Sequence, residues 1–176
     1  ARVQKLPYGD PSLQETVVGP LIHEKEVERL LEVVDKAQQA GAKLQYGGKA
    51  DGNVLQPTVL SEVKEDNPAA QNELFGPVAL LIRAKDEQDA LRIMNSSSYG
   101  LSGSVFTTNL ERGYQVAQQM ETGMVHVNDQ SVNDEAHVMF GGEKASGVGR
   151  FGGDWAIDKF TRTRWISIQQ TYREFF

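Results

Sequence analysis

Apolar runs typical of buried strands alternate with helical patterns in the middle of the chain. The run VALLI at 78–82 has no polar interruption, which is the pattern of a strand buried on both faces. The predicted elements are, in order, strand 78–84, helix 86–97, strand 102–108, helix 109–120 and strand 124–128. Since connections between parallel strands are right-handed crossovers, the sequence predicts an α/β fold with a mostly parallel sheet flanked by helices.

Side-chain patterns add detail to these elements. Asp86 and Asn109 stand where helix N-caps are expected. In the second helix, Leu110, Tyr114 and Ala117 share one face, which we expect to pack on the sheet.

A further helix and two short strands are predicted nearer the N-terminus. Apolar residues recur at helical spacing in HEKEVERLLEVVDKAQQAG, namely Val27, Leu30, Leu31, Val34 and Ala37. Gly41 follows where a helix C-terminus is commonly capped. Extended segments are predicted at 43–46 and 54–60, with a glycine pair between them, and Pro57 favours an edge position for the second.

The pattern changes after Asn128. About 27 residues, NDQSVNDEAHVMFGGEKASGVGRFGGD, show neither helical nor strand periodicity, and loops of this length are usually functional or disordered. A short helix near DWAIDKF and an alternating strand at 163–170 are predicted to follow. We therefore expect one domain over 1–160 with a C-terminal strand and tail over 161–176.

Composition excludes several classes of function. The net charge is -6, so the chain offers no basic surface suited to nucleic acid. No apolar run approaches the roughly 20 residues of a membrane span. The absence of cysteine excludes disulfides and thiol catalysis by these residues alone. These features predict a cytoplasmic protein with neither a nucleic-acid partner nor a membrane partner.

Three familiar patterns fail on their context. GVGRFG at 147–152 fits a dinucleotide-binding fingerprint but does not directly follow a strand. DEAH at 134–137 lacks the apolar strand that should precede a helicase box, and GLSGS at 100–104 lacks the last glycine of a serine hydrolase elbow. The three histidines stand too far apart for a metal site, and His126, between two valines, is interpreted as a packed side chain.

The stretch NELFGPV at 72–78 allows two interpretations. Glu73 and Phe75 precede a Gly-Pro break and a buried strand. From these residues alone they are either a surface acid with a core aromatic, or an acid and a ring that face a ligand at a strand edge.

Four motifs together carry a resemblance to a known family. They are NELFGPV at 72–78, NSSSYGLSGSVFT at 95–107, GMVHVN at 123–128 and FGGEKASGVGR at 140–150. In this order and spacing the chain resembles the C-terminal part of aldehyde dehydrogenases, over about residues 19–169. The resemblance implies the catalytic-domain fold of that family in incomplete form. It also implies oxidation of an aldehyde to the carboxylic acid with NAD or NADP as cofactor.

The resemblance assigns roles to individual residues. It implies that Glu73 binds the hydroxyls of the nicotinamide ribose and that Phe75 lies beside the nicotinamide. Asn128 and Phe140 match positions that border the aldehyde pocket. Lys144, Ser146 and Arg150 are interpreted as structural residues. Phe151 stands where many relatives carry a glutamate used in proton relay, so a relay through this position is not expected.

Other family features fall outside this chain. The nucleophilic cysteine, the general base and the Rossmann domain lie upstream in the family pattern, so we expect a fragment with no catalytic residue and no activity by itself. The segments 126–142 and 150–169 are similar to the benzaldehyde, salicylaldehyde and vanillin dehydrogenases, which implies an aromatic substrate. The strand at 163–170 implies a homo-oligomer through that segment. The alternative is a non-catalytic scaffold or oligomerisation module of the same fold.

Overall fold

The computed structural model describes residues 2–174 and contains five α-helices and nine short strands over that range. The helices are α1 (Glu24–Gln39), α2 (Pro68–Gln71), α3 (Glu87–Asn95), α4 (Leu110–Ala117) and α5 (Gly153–Phe160). The strands are β1 (Lys43–Tyr46), β2 (Ala50–Asp51), β3 (Val54–Leu55), β4 (Thr58–Val63), β5 (Val78–Ile82), β6 (Tyr99–Gly100), β7 (Ser102–Val105), β8 (Met124–Val127) and β9 (Glu143–Lys144). A short 3-10 helix covers Val3–Lys5. The chain divides into two compact units, Ala1–Ser98 and Tyr99–Phe176.

The core of the first unit lies between α1 and a three-stranded sheet. Helix α1 begins after His23, whose imidazole accepts a hydrogen bond from the Lys25 amide at 3.1 Å, and it ends before Gly41, which has a φ of 97°. The sheet has the order β1-β4-β5, with β1 antiparallel and β5 parallel to β4. Leu30 and Leu60 are fully buried, and each contributes on the order of 2 kcal/mol through burial.

The second unit is built on a parallel pair, β7 and β8, joined by α4. Asn109 caps α4 by accepting a hydrogen bond from the Arg112 amide at 3.0 Å. Gly113 lets the helix approach the sheet closely, since a Cβ there would lie 2.8 Å from Val127 Cγ1. Strand β6 pairs with β9 in a separate antiparallel ladder. Both longer parallel pairs, β4-β5 and β7-β8, therefore follow the predicted α/β pattern.

Three predicted details of the strands are wrong. Strand β5 is not buried on both faces: its side chains alternate, and Leu81 is 56% exposed, because only the face of Val78 and Leu80 packs on the core. Pro57 does not mark an edge, because it lies between β3 and β4 and β4 is the central strand of its sheet. Residues 163–170 form no strand, because none of the described residues pairs with them.

The predicted face of α4 is also wrong. Leu110 and Tyr114 are 67% and 58% exposed, whereas Gly113 and Val116 are buried. The helix is amphipathic as expected, but its small side chains face the sheet because the contact with β8 is close. The predicted caps Asp86 and Asn109 and the helix near DWAIDKF are confirmed.

Candidate functional site

The turn that carries Glu73 and Phe75 presents both side chains to solvent. Leu74 packs beside Val27 and Leu30, and its two neighbours therefore point away from the core. Phe75 is 74% exposed and has a φ of 48°. Since a bulky residue rarely adopts a positive φ, and such strain concentrates at binding sites, this backbone marks the turn as a functional candidate.

Helix α1 holds the turn in place. The guanidinium of Arg29 donates a hydrogen bond from Nη2 to the Leu74 carbonyl at 2.8 Å, and its Nε pairs with Glu26 at 2.8 Å. A Cβ on Gly76 would collide with Leu30 Cδ1, so the glycine is needed for the turn to lie against the helix. The carbonyl between Glu73 and Phe75 is therefore fixed from the helix side.

The Glu73 carboxylate is open to a ligand. It forms no hydrogen bond or ion pair with any part of the chain that the structure describes, and the residue is exposed. A free carboxylate can accept hydrogen bonds from two neighbouring hydroxyls, while the ring of Phe75 offers a flat apolar surface. Together they suit a ligand with a diol beside a planar ring.

Asn128 joins the ends of β7 and β8. Its Nδ2 donates to the Thr107 carbonyl and its Oδ1 accepts from the Thr107 amide, both at 2.8 Å. Its own φ is 62°, a conformation that asparagine tolerates better than most residues. The structure thus places the Asn128 amide in a backbone clamp.

Phe140 lines a cavity of about 280 Å³ in the second unit. It exchanges backbone hydrogen bonds with Phe151, from each amide to the other carbonyl at 2.7 and 2.8 Å. The cavity is bordered by residues 123–126 of the β8 strand region and by loop residues 133–135 and 138–140. Asn128 is not part of this lining, so the two residues predicted to border the aldehyde pocket lie in different surroundings.

The glycine-rich motif is held by polar contacts to the backbone. Arg150 donates to the Gly142 carbonyl at 2.9 Å and forms an ion pair with Glu143. Lys144 pairs with Glu121 at 2.7 Å, and the Ser146 hydroxyl accepts from the Gly100 amide at 3.0 Å. These contacts agree with the structural roles that the sequence predicts for Lys144, Ser146 and Arg150.

Phe151 belongs to an aromatic and cationic group on the same loop. Its ring centroid lies 6.3 Å from that of Phe160, and Lys159 Nζ lies 6.0 Å from the Phe151 centroid. The residue thus packs with α5, and no carboxylate stands at this position.

The search for metal and membrane sites covered residues 2–174. It found no group of three or more histidine, aspartate or glutamate side chains placed to hold a metal ion. No helix in that range has the length and apolar character needed to cross a bilayer.

Two residues of interest were not predicted as functional from the sequence. Arg29 is one, because its contact with Leu74 joins positions 45 apart in the chain. His126 is the other: it lines the cavity, and its Nε2 is buried without a hydrogen-bond partner among the described residues. A histidine in an otherwise apolar strand was the available signal for the second, whereas no local pattern indicates the first.

Comparisons with known proteins agree with the site. The sequence profile of the aldehyde dehydrogenase family matches residues 1–166. The chain is 45% identical over 169 residues to the vanillin dehydrogenase of Corynebacterium glutamicum, covering 96% of this chain and 35% of that protein.

Two solved structures are similar throughout the chain. The salicylaldehyde dehydrogenase of Pseudomonas putida G7, complexed with salicylaldehyde, has a TM-score of 0.92 and 37% identity over 99% of this chain and 36% of that one. The Mycobacterium tuberculosis aldehyde dehydrogenase complexed with NAD+ has a TM-score of 0.90 and 37% identity, covering 98% of this chain and 36% of that one. The chain thus spans about a third of the length of the proteins it matches.

Proposed function

Because the chain belongs to the aldehyde dehydrogenase family, we propose that the full-length protein containing it oxidises an aromatic aldehyde to the carboxylic acid with NAD or NADP. The observation that carries this proposal is the Glu73–Phe75 turn, with its open carboxylate, exposed ring and positive φ at Phe75. A turn held in this form by Arg29 stabilises nothing in the core by exposing Phe75, so a ligand is its best explanation.

The residues of this turn fit a nicotinamide nucleotide. Glu73 would accept hydrogen bonds from the two ribose hydroxyls, and Phe75 would lie against the flat ring. When bound, the cofactor supplies the two-electron acceptor for the oxidation. The role of this chain is then to orient: small displacements of either side chain would misplace the reacting ring without abolishing binding.

An aromatic substrate is supported by the cavity and by the relatives. Phe140 and its neighbours give the cavity an apolar lining, which suits a benzene ring. The similar proteins include a vanillin dehydrogenase and a salicylaldehyde dehydrogenase. The aldehyde itself needs a nucleophile, and with no cysteine in the sequence a thiolate must come from outside residues 1–176. We therefore expect the isolated chain to be inactive.

Residues 163–170 are the proposed contact with a second copy. They are extended in sequence pattern, unpaired within the described chain and exposed, with Trp165 92% and Ile168 82% accessible. An exposed segment with alternating apolar side chains is suited to add a strand to the sheet of a neighbouring subunit. We propose a homo-oligomer formed in this way.

The test measures turnover of the full-length protein by the appearance of reduced nicotinamide, with benzaldehyde as substrate. Glu73→Gln should lower kcat, with a smaller change in the KM for cofactor, because the neutral amide holds the ribose less well. Glu28→Gln, an exposed glutamate on α1, is the matched control and should leave kcat unchanged. Unchanged turnover in Glu73→Gln would remove the role of Glu73, and a wild-type protein that oxidises no aldehyde would favour a non-catalytic scaffold.

A further inference from the structure

The two faces of the β7-β8 pair have different neighbours. Val127 faces α4, since it is the side chain closest to Gly113. Because side chains alternate along a strand, Met124 and His126 point to the opposite face. Their cross-strand neighbours in the parallel register are Ser102 and Ser104, which therefore lie on that face as well.

The loop after β8 covers part of this opposite face. The Ser102 hydroxyl donates a hydrogen bond to the Ser131 carbonyl at 2.6 Å, which ties the loop to the sheet. The cavity of about 280 Å³ lies between residues 123–126 and the loop residues 133–135 and 138–140. It is therefore a feature of the second unit alone, with the sheet as one wall and the loop as the other.

The lining is apolar except for one buried nitrogen and the rim. Met124, Val138, Met139 and Phe140 contribute apolar surface. Asp134 and Glu135 also border the cavity but are exposed, so their carboxylates stay in contact with water. On the sheet wall, Nε2 of His126 is buried and has no hydrogen-bond partner among the described residues.

An orphaned polar atom of this kind calls for a ligand. A buried group without a hydrogen bond is costly, and native proteins rarely leave one unpaired. Ser104 Oγ is unpaired in the same way on the neighbouring strand, but Ser104 does not line the cavity. His126 is thus the side chain that can offer an unpaired buried polar atom to a molecule bound there.

The volume of the cavity limits the molecule. An apolar cavity of about 150 Å³ is enough to bind benzene, so about 280 Å³ holds a benzene ring with one or two small substituents. Sulfur atoms of Met124 and Met139 offer favourable contacts with ring edges. Val138 and Phe140 are 47% and 42% exposed, so the apolar wall is accessible to an entering ring.

We propose that this cavity binds the ring of a hydroxyl-substituted aromatic aldehyde and that Nε2 of His126 forms a hydrogen bond with the ring hydroxyl. The inference rests on the proposed function and deepens it, because it names the substituent and the residue that recognises it. His126 then determines specificity and takes no part in the oxidation. Its effect is confined to substrates that carry the hydroxyl.

The test compares substrates with and without the hydroxyl on the full-length protein. The kcat/KM values of benzaldehyde and of ortho-, meta- and para-hydroxybenzaldehyde are measured for wild type, His126→Leu and His126→Gln. His126→Leu should lower kcat/KM about tenfold for the preferred hydroxy isomer, as expected for a lost hydrogen bond that leaves a polar group unpaired. Benzaldehyde should change less than about twofold, since it makes no such bond.

Two controls separate recognition from packing. His126→Gln keeps a hydrogen-bonding side chain and should recover part of the preference. Ser104→Ala removes the neighbouring unpaired hydroxyl outside the cavity lining and should leave the substrate ratio unchanged. Calorimetric dissociation constants of the cofactor-free protein for the preferred hydroxybenzaldehyde give a second readout, and they should weaken in His126→Leu in parallel with kcat/KM.

The outcomes are distinct. Equal losses for benzaldehyde and the hydroxybenzaldehydes in His126→Leu would mean that His126 only packs the sheet, and an unchanged ratio would mean that Nε2 does not contact the ring hydroxyl. Either result overturns the inference while leaving aldehyde oxidation intact. A wild-type protein that oxidises none of these aldehydes instead overturns the proposed function.

Discussion

Arg29 on helix α1 donates a hydrogen bond to the carbonyl of Leu74, at 2.8 Å, across 45 residues of sequence. The bond ends on the peptide between two exposed side chains, Glu73 and Phe75, that point away from the core. Glu26 in turn orients the guanidinium through its Nε. A residue with no cofactor contact of its own in this geometry can thus decide where two proposed cofactor ligands stand.

Arg29→Met should lower kcat of the full-length enzyme about tenfold at saturating cofactor, because the turn loses its anchor and reacting groups are sensitive to small displacements. The aldehyde KM should change little. Lys36→Met, which removes an exposed ion pair with Glu32 on the same helix, is the control. Equal kcat values in the two variants would show that the Leu74 contact does not position the turn.

Phe75→Gly should separate stability from function. Glycine adopts a positive φ without strain, but it also increases the entropy of the unfolded chain. These effects oppose each other, and Phe75 is 74% exposed, so the free energy of unfolding should change by less than about 1 kcal/mol. Turnover should fall nonetheless, because the ring is lost. Denaturant melts and steady-state kinetics measured on the same preparation test both parts, and a turnover equal to wild type would contradict the role of the ring.

Asn128→Asp should destabilise the protein at neutral pH. The substitution removes the Nδ2 donor to the Thr107 carbonyl and sets a carboxylate oxygen against it, which costs about 1–3 kcal/mol. Gln130→Glu makes the same change from amide to carboxylate on an exposed side chain two residues away and should have little effect. The comparison is made by urea denaturation, where equal midpoints would contradict the clamp.

Asp89 gives a dependence of stability on pH. The backbone amide of Lys85 and then the guanidinium of Arg92 hold the pKa of its carboxyl below the usual value. A lowered folded pKa means that the stabilisation is complete above the unfolded pKa of about 3.9 and is lost as the pH falls through the folded value.

Asp89→Asn should therefore be less stable than wild type near neutral pH, and the two unfolding midpoints should converge in acid below about pH 4. The effect is modest, because the site faces solvent and the ion pair with Arg92 is screened. Glu28→Gln serves as the control of equal charge, and a difference that grew on acidification would contradict the sign.

The elements predicted best are those set by local chemistry. Helix α1 follows from apolar spacing and Gly41, and the caps Asp86 and Asn109 follow from their side-chain acceptors. Burial was predicted less well. Leu81 and Tyr114 belong to patterns that indicate buried faces, yet both are more than half exposed, because periodicity gives the direction of a side chain and not what covers it.

Site residues divide in the same way. The sequence motif identifies Glu73 and Phe75, but the positive φ of Phe75 and the anchoring by Arg29 depend on tertiary contacts that no short stretch encodes. For Asn128, the motif predicts a pocket position, whereas its amide is engaged by the Thr107 backbone. The alternation at 163–170 indicates a strand, but a strand forms only with a partner edge.

The exposed segment at 163–170 has a spectroscopic consequence. The chain contains two tryptophans. Trp165 is 92% accessible, whereas Trp155 on α5 is 46% accessible. An indole in water emits at longer wavelength than one in an apolar contact, so the emission maximum of a Trp155→Phe protein reports on position 165 alone. The chain thus contains its own fluorescent reporter, and diluting the protein while following the colour of that one side chain would time the separation of its subunits without any added label.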